Sequence, residues 1–275
     1  MIIMYKIGID VGGYKTLGVV LFNNKIIKKM TTRTETQNKE KFLSDLENLI
    51  NKLTKKNVEK IGLCLPGYIK NNILKKSPNL KIIENVRFDK KIVIENDANC
   101  YALGESVRLN KKNLVGITIG TGVGCGIIIN KKIYHGLGNA GELGHTIIKI
   151  NGRKCTCGNR GCLEEYISTR ALERASKKIF GRVFSAFELR KLAEKGNKNS
   201  IKIFRKSGTY LGIGLANICN LLNPEIISLG GGLSKNKWLV DSAISEMKKN
   251  IYFNEPEIVI GKYESCAIGA ANLIK

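Results

Sequence analysis

Short apolar bursts bounded by glycine and polar residues dominate the first third of the chain. Residues 4–11 (Met-Tyr-Lys-Ile-Gly-Ile-Asp-Val) and 16–22 read as two strands joined by a sharp turn at Gly12-Gly13, and 25–32 as a third. From 39 to 55 the period changes: Phe42, Leu43, Leu46, Leu49, Ile50 and Leu53 recur at helical spacing with charges between them. Residues 58–65 are apolar and end at Pro66-Gly67, a strand running out into a loop. The polar stretch 68–90, with Ser77-Pro78-Asn79-Leu80 extended, reads as loop. A short buried strand is expected at 91–94 and a helix at 100–109.

Strands at 114–119 and 126–130 flank Gly120-Thr121-Gly122-Val123-Gly124. Beyond 163 the pattern turns mainly helical, at 163–180, 186–195, 199–222 (stopped by Pro224), 238–249 and 267–274. Strands intervene at 225–229 and 257–260, and Gly230-Gly231-Gly232 follows the first of these. Strand, glycine turn, strand thus begins at Ile7 and again at Ile117. A period of about one domain predicts two related α/β halves.

Composition narrows the class. The chain has 275 residues, 43% hydrophobic and 25% charged, enough to bury a substantial core and too apolar for disorder. No apolar run approaches the ~18 residues needed to span a bilayer, and the start reaches Asp10 without a cleavage-type sequence, so a cytoplasmic protein is expected. Lysine and arginine total 46 against 23 acids, a formal charge of +23. The lysines are spread through every segment as doublets, with no basic stripe interleaved with aromatics. A solvated surface that attracts anionic nucleotides fits better than a specific nucleic-acid interface.

The densest candidate chemistry lies at 141–164. Gly141-Glu142-Leu143-Gly144-His145 is followed by Cys155-Thr156-Cys157-Gly158-Asn159-Arg160-Gly161-Cys162-Leu163-Glu164. His145, Cys155, Cys157 and Cys162 are a Cys3His set of the kind that closes around structural zinc. Free thiols or an oxidised pair are the bland alternatives. Folding around a metal would draw Glu142 and Glu164 together. Cys64, Cys100, Cys125, Cys219 and Cys266 lie singly and are expected as buried free thiols. Asp97, in Glu95-Asn96-Asp97-Ala98-Asn99, stands at a strand-to-helix junction, where it either caps the helix or acts as a catalytic carboxylate. The glycine turns at 12–13, 120–124 and 230–232 serve either geometry alone or backbone approach to a nucleotide, with Lys15 and Thr16 adding charge and hydroxyl contacts at the first.

Taken in order, Asp10-x-Gly-Gly-x-Lys15-Thr16, Glu95 to Asn99, Gly120 to Gly124, Gly141 to His145, Cys155 to Glu164 and Leu229 to Gly232 resemble the ROK family of sugar kinases over nearly the whole chain. The resemblance implies the actin-like ATPase fold, two ribonuclease-H-like α/β domains with a cleft between them: a small one at 1–113 plus 262–275 and a large one at 114–261. It implies a homodimer or homotetramer that binds a hexose and ATP. Asp97 would be the catalytic base. Asn96, Asp97, Glu142, His145 and Glu164, with Gly67 and Asn79 nearby, would contact the sugar. Asp10 would orient Mg2+, while Gly12, Gly13, Lys15, Thr16, Thr121, Gly122 and Gly124 hold phosphates and Gly231 and Gly232 the nucleoside. His145, Cys155, Cys157 and Cys162 would bind structural Zn2+. The chain departs from the family at Tyr14, usually threonine, at Cys125, commonly glycine, and in lacking a tryptophan after Leu80. A sugar-sensing repressor would carry a helix-turn-helix ahead of the first hairpin, for which residue 4 leaves no room.

Overall fold

The computed structural model describes residues 5–54, 60–77 and 79–274. Met4, Lys55, residues 58–59 and Pro78, which the sequence reading included in elements, lie outside these. In chain order the elements are β1 (Tyr5–Val11), β2 (Lys15–Phe22), β3 (Lys25–Arg33), α1 (Lys39–Leu53), β4 (Ile61–Leu65), β5 (Tyr68–Lys70), β6 (Ile73–Lys76), β7 (Ile92–Asn96) and α2 (Asp97–Leu109). Then come β8 (Leu114–Ile119), β9 (Val123–Ile129), β10 (Lys132–Ile133), α3 (Glu164–Ile167), α4 (Thr169–Phe180), α5 (Ala186–Glu194), α6 (Lys198–Leu222), β11 (Ile226–Gly230), α7 (Lys237–Asn250), β12 (Glu257–Ile260) and α8 (Ser265–Ala271). Two five-stranded sheets result, ordered β3-β2-β1-β4-β7 and β10-β9-β8-β11-β12. The mixed α/β class is as expected. Among the described residues no helix is long and apolar enough to cross a membrane.

The chain forms two compact units. One comprises Met1–Gly116, Gly126–Ala140 and Gly261–Lys275, the other Ile117–Cys125 and Gly141–Ile260. The segment 126–140, expected with the later domain, groups with the first. Gly126 is the reason: a Cβ there would lie 2.4 Å from the Ala98 carbonyl of α2, so β9 lies directly on that helix.

In the first unit β1, β2 and β3 are antiparallel, and β1, β4 and β7 parallel. Alternation along β1 and β4 sends Ile7, Ile9, Val11, Leu63 and Leu65 into a core with Phe42, Leu46, Leu49 and Leu53 of α1. Leu17, Val19 and Leu21 face the other way, onto Ala267, Ile268 and Ala271 of α8. That helix lies against the sheet because Gly8 and Gly62 carry no side chain: a Cβ would fall 1.9 Å from the Ala267 carbonyl and 1.7 Å from that of Ala270. In the second unit Gly208 lets α6 lie close on α7, where a Cβ would come within 2.2 Å of the Leu239 carbonyl.

Three readings of the pattern need correction. The stretch 68–90 is not all loop: β5 and β6 form a hairpin turned by Asn71 and Asn72, both at positive φ (53° and 58°), which asparagine tolerates in a tight hairpin turn. The helix after β7 begins at Asp97, and its cap is Asn96, whose side chain accepts from the Ala98 and Asn99 N–H groups. The expected helix 163–180 is broken at Ser168, which leaves the helical region and caps α4 by accepting from the Ala171 N–H.

Candidate functional site

In the first unit the site is built at the carboxyl ends of parallel strands. The register sets Asp10 beside Cys64, and Cys64 beside Glu95. In open α/β sheets such strand ends are where ligands bind. The Cys64 thiol donates to Asp10 Oδ1 at 3.3 Å. Burial pushes the Asp10 carboxyl up to about 6; the Cys64 hydrogen bond opposes this and the nearby charge of Asp97 adds to it. Asp10 and Asp97 are therefore close enough to feel each other's charge.

Asp97 is half-buried on the first turn of α2, at the positive end of the helix dipole, and its Oδ1 accepts from the Ala98 N–H at 3.0 Å. Asn96 is held at both ends of its amide, since its Nδ2 donates to the Gly67 carbonyl at 3.0 Å. Gly67 sits at φ 126°, a conformation suited to glycine, and a Cβ there would come 2.2 Å from the Lys76 carbonyl. Asn79 stands next to the glycine hairpin, 3.8 Å from where a Cβ on Gly13 would be.

The hairpin closes through Gly12 N–H to the Lys15 carbonyl at 3.0 Å. Thr16 is buried, and its hydroxyl pairs with that of Thr34 at 2.9 Å, so this side chain faces inward. Lys15 lies 5.5 Å over the Tyr263 ring, while Tyr14 is 91% exposed.

Sequence reasoning passed over His135. Its Nε2 is 2.7 Å from Glu95 Oε2, and Glu95 Oε1 accepts from the Asn96 N–H (2.8 Å) and Asn99 Nδ2 (3.0 Å). The contact steadies the residues flanking Asp97. The signal available was scarcity, as the chain has two histidines. The five other cysteines are free thiols, as expected, and all but Cys266 are buried; three of them, Cys64, Cys100 and Cys266, converge behind Asp10.

In the second unit the donor atoms of His145, Cys155, Cys157 and Cys162 all lie within 4.8 Å of one another. Cys157 and Cys162 Sγ are 3.6 Å apart, and Cys155 Sγ is 3.7 Å from His145 Nδ1. Tetrahedral zinc with Zn–S of about 2.3 Å and Zn–N of about 2.0 Å requires separations of about 3.8 and 3.5 Å, so the set fits that ion. The Asn159 N–H holds the Cys157 thiol below its ordinary value, whereas burial, with its thiol neighbours, pushes Cys162 up to about 12. A divalent cation would remove that conflict by taking all three as thiolates. With Nδ1 on the thiols, His145 turns Nε2 toward Glu142 Oε2, 3.9 Å away. Glu142 is exposed.

Glu164 is buried and bridges two elements. One oxygen accepts from the Val123 N–H at 2.9 Å and the other pairs with Arg170 Nη2 at 3.1 Å. It thereby braces the 120–124 turn, itself closed by Gly120 N–H to the Gly122 carbonyl at 2.9 Å. Thr121 is exposed and Gly122 and Gly124 are half-buried on this turn. The 230–232 turn lies beside it: Leu233 N–H donates to the Ile119 carbonyl, and Gly231, at φ 82°, sits where a Cβ would be 2.4 Å from that oxygen. Nothing lies within 4 Å of the Cβ position on Gly232. The two turns offer adjacent runs of backbone.

Comparison with known proteins agrees with this architecture. The ROK family model matches residues 6–275. The chain is 31% identical to an N-acetyl-D-glucosamine kinase of Mannheimia succiniciproducens, covering 93% of each, and 30% identical to a glucokinase of Thermotoga maritima, covering 98% of this chain and 96% of the relative. It is also 35% identical to a xylose repressor of Bacillus spizizenii, over 90% of this chain and 70% of the repressor. Among solved structures, a ROK hexokinase from Thermus thermophilus superimposes with a TM-score of 0.86 at 26% identity, covering 98% and 97% of the two chains. A Streptomyces griseus ROK glucokinase in complex with glucose and AMPPNP gives 0.80 at 25%, covering 98% of each. The motifs, the two α/β units and these matches lead to one conclusion: the chain belongs to the ROK family.

Proposed function

We propose that this protein is an ATP-dependent hexose kinase that transfers the γ-phosphoryl group to a sugar hydroxyl, the 6-OH of glucose being the first candidate. N-acetylglucosamine, N-acetylmannosamine and fructose are the alternatives. The observation that carries the reading is the strand register that sets the ends of β1, β4 and β7 side by side, with Asp10 on β1 and Asp97 on the first turn of the helix that follows β7. In this reading Asp97 takes the proton from the attacking hydroxyl, a role that contributes roughly 10²–10⁴-fold. Asp10 orients Mg2+ through water. Kinases of this kind work mainly by alignment and charge neutralisation, which suits backbone cradles at Gly12, Gly13, Thr121, Gly122 and Gly124 with Lys15 nearby. Gly231 and Gly232 receive the nucleoside.

Glu142, His145 and Glu164 act as sugar contacts, with Asn96, Gly67 and Asn79. A zinc ion on His145, Cys155, Cys157 and Cys162 serves structure: it fixes the His145 ring and leaves Nε2 for a hydroxyl. Thr16 contributes through its bond to Thr34, which sets the hairpin. Relatives named glucokinase and N-acetyl-D-glucosamine kinase support the class.

A coupled ADP-release assay across a sugar panel tests this, with turnover expected on at least one hexose. The xylose repressor relative favours a second reading, a sugar-sensing regulator. Tight sugar binding with no turnover on any hexose would select it.

A further inference from the structure

We propose that Asp10, Cys64 and Cys266 form a second metal site, distinct from the Cys3His knot, that takes a soft divalent cation of the zinc and cadmium class and inhibits the protein by occupying Asp10. Their donor atoms lie within 4.8 Å of one another. The Cys64 Sγ to Asp10 Oδ1 separation of 3.3 Å is close to the roughly 3.5 Å that a tetrahedral ion imposes on a sulfur and an oxygen ligand. Two thiols in a three-donor set select against magnesium, which takes oxygen, and for thiophilic ions.

The surroundings suit a cation. Glu95 stands beside Cys64 in the strand register, and Asp97 opens the helix that follows that strand, so further carboxylates lie at these strand ends. Cys64 is fully buried, whereas Asp10 and Cys266 keep part of their surface open to solvent. Cys100, also fully buried, touches Cys64 from behind and backs the site with a third sulfur. Binding releases the Cys64 and Cys266 thiol protons to solvent and leaves two thiolates and one carboxylate on the ion. The ion then holds the carboxylate that would otherwise orient Mg2+. The inhibitory effect rests on the kinase reading; the binding itself does not.

The test titrates the full-length chain with Cd2+ alone, reading stoichiometry by equilibrium dialysis and thiolate ligation by ultraviolet charge-transfer absorption. Two ions per wild-type chain are expected, and one in each of Cys64→Ala and Cys266→Ala, whose fold is checked by circular dichroism. Cys157→Ala should keep the second site while weakening the knot. In the turnover assay Cd2+ should inhibit in competition with Mg2+, and Cys266→Ala should weaken that inhibition by more than about 100-fold, beyond the usual cost of losing an outer-shell partner. One ion per wild-type chain, or a second ion that persists in both Cys64→Ala and Cys266→Ala, overturns the site. Two ions with no turnover on any sugar would keep the site and overturn the kinase reading instead.

Discussion

The carboxylate of Glu164 accepts the backbone N–H of Val123 at 2.9 Å, so one buried acid fixes the shape of the glycine turn at 120–124. The same oxygen would lie 2.7 Å from a Cβ on Gly122, so the turn and the acid are fitted to each other. Removing the carboxylate leaves a backbone donor without its partner and Arg170 without its counter-ion. Glu164→Ala should cost about 1.5–3 kcal/mol of stability, the range for a hydrogen bond to a charged group. It should also raise KM for the nucleotide. Thermal unfolding and initial-rate kinetics check both, and Glu164→Gln, which keeps an acceptor, should lose less.

Asp97→Asn should retain the fold, because the α2 cap belongs to Asn96. Sugar affinity should stay within a few-fold, while kcat falls by about 10²–10⁴, the contribution of a positioned base. Calorimetric sugar titration beside steady-state kinetics separates the two. Full activity would remove Asp97 from the proposed role.

Asp10 predicts an inverted pH dependence of stability. Its carboxyl, ordinarily at 3.8, rises to about 6 in the folded chain. Between these values the folded state holds a proton that the unfolded state has lost, so stability falls as pH rises through this window, by about 3 kcal/mol in all. Below it both states are protonated; above it the loss is complete. In magnesium-free buffer, Asp10→Asn should flatten this decline and melt above wild type at neutral pH, while losing turnover. Denaturant titrations from pH 4 to 8 measure the slope.

Cys157→Ala should lose the knot's metal and much of its order. Zinc binding couples to folding, and loss of one thiol leaves three of the four donors that could hold an ion. Metal analysis of purified protein should find about one fewer zinc per chain than in wild type, with a lower melting temperature. Active wild-type protein free of zinc would contradict the structural role.

Much of this fold is readable in the sequence because its strands and helices bury strong periodic patterns. The alternation in Ile7, Ile9 and Val11 and the helical spacing of Phe42, Leu46, Leu49 and Leu53 correspond to one core. The hairpin at Tyr68–Lys76 was hidden because its strands are short and lysine-rich, and its only marker is the Asn71-Asn72 pair. The break at Ser168 was hidden because the apolar spacing continues across it. At the site, the Cys3His set could be read from spacing alone, since its ligands are close in sequence. The convergence of Cys64, Cys100 and Cys266 could not, because it arises from strand register and the seat of α8, which bring together residues from three separate segments.

The seat of α8 also bears on how the chain folds during synthesis. Gly8 and Gly62 are shaped to receive Ala267 and Ala270, and a Cβ on Gly269 would strike the Cys100 carbonyl at 1.8 Å. The first sheet therefore awaits a cover made from a helix that lies more than two hundred residues later in the chain. Leu17, Val19 and Leu21 stay uncovered on that side while some two hundred residues are still being translated. A nascent chain of this design carries that apolar face open until α8 has been made, and removing α8 would expose it again.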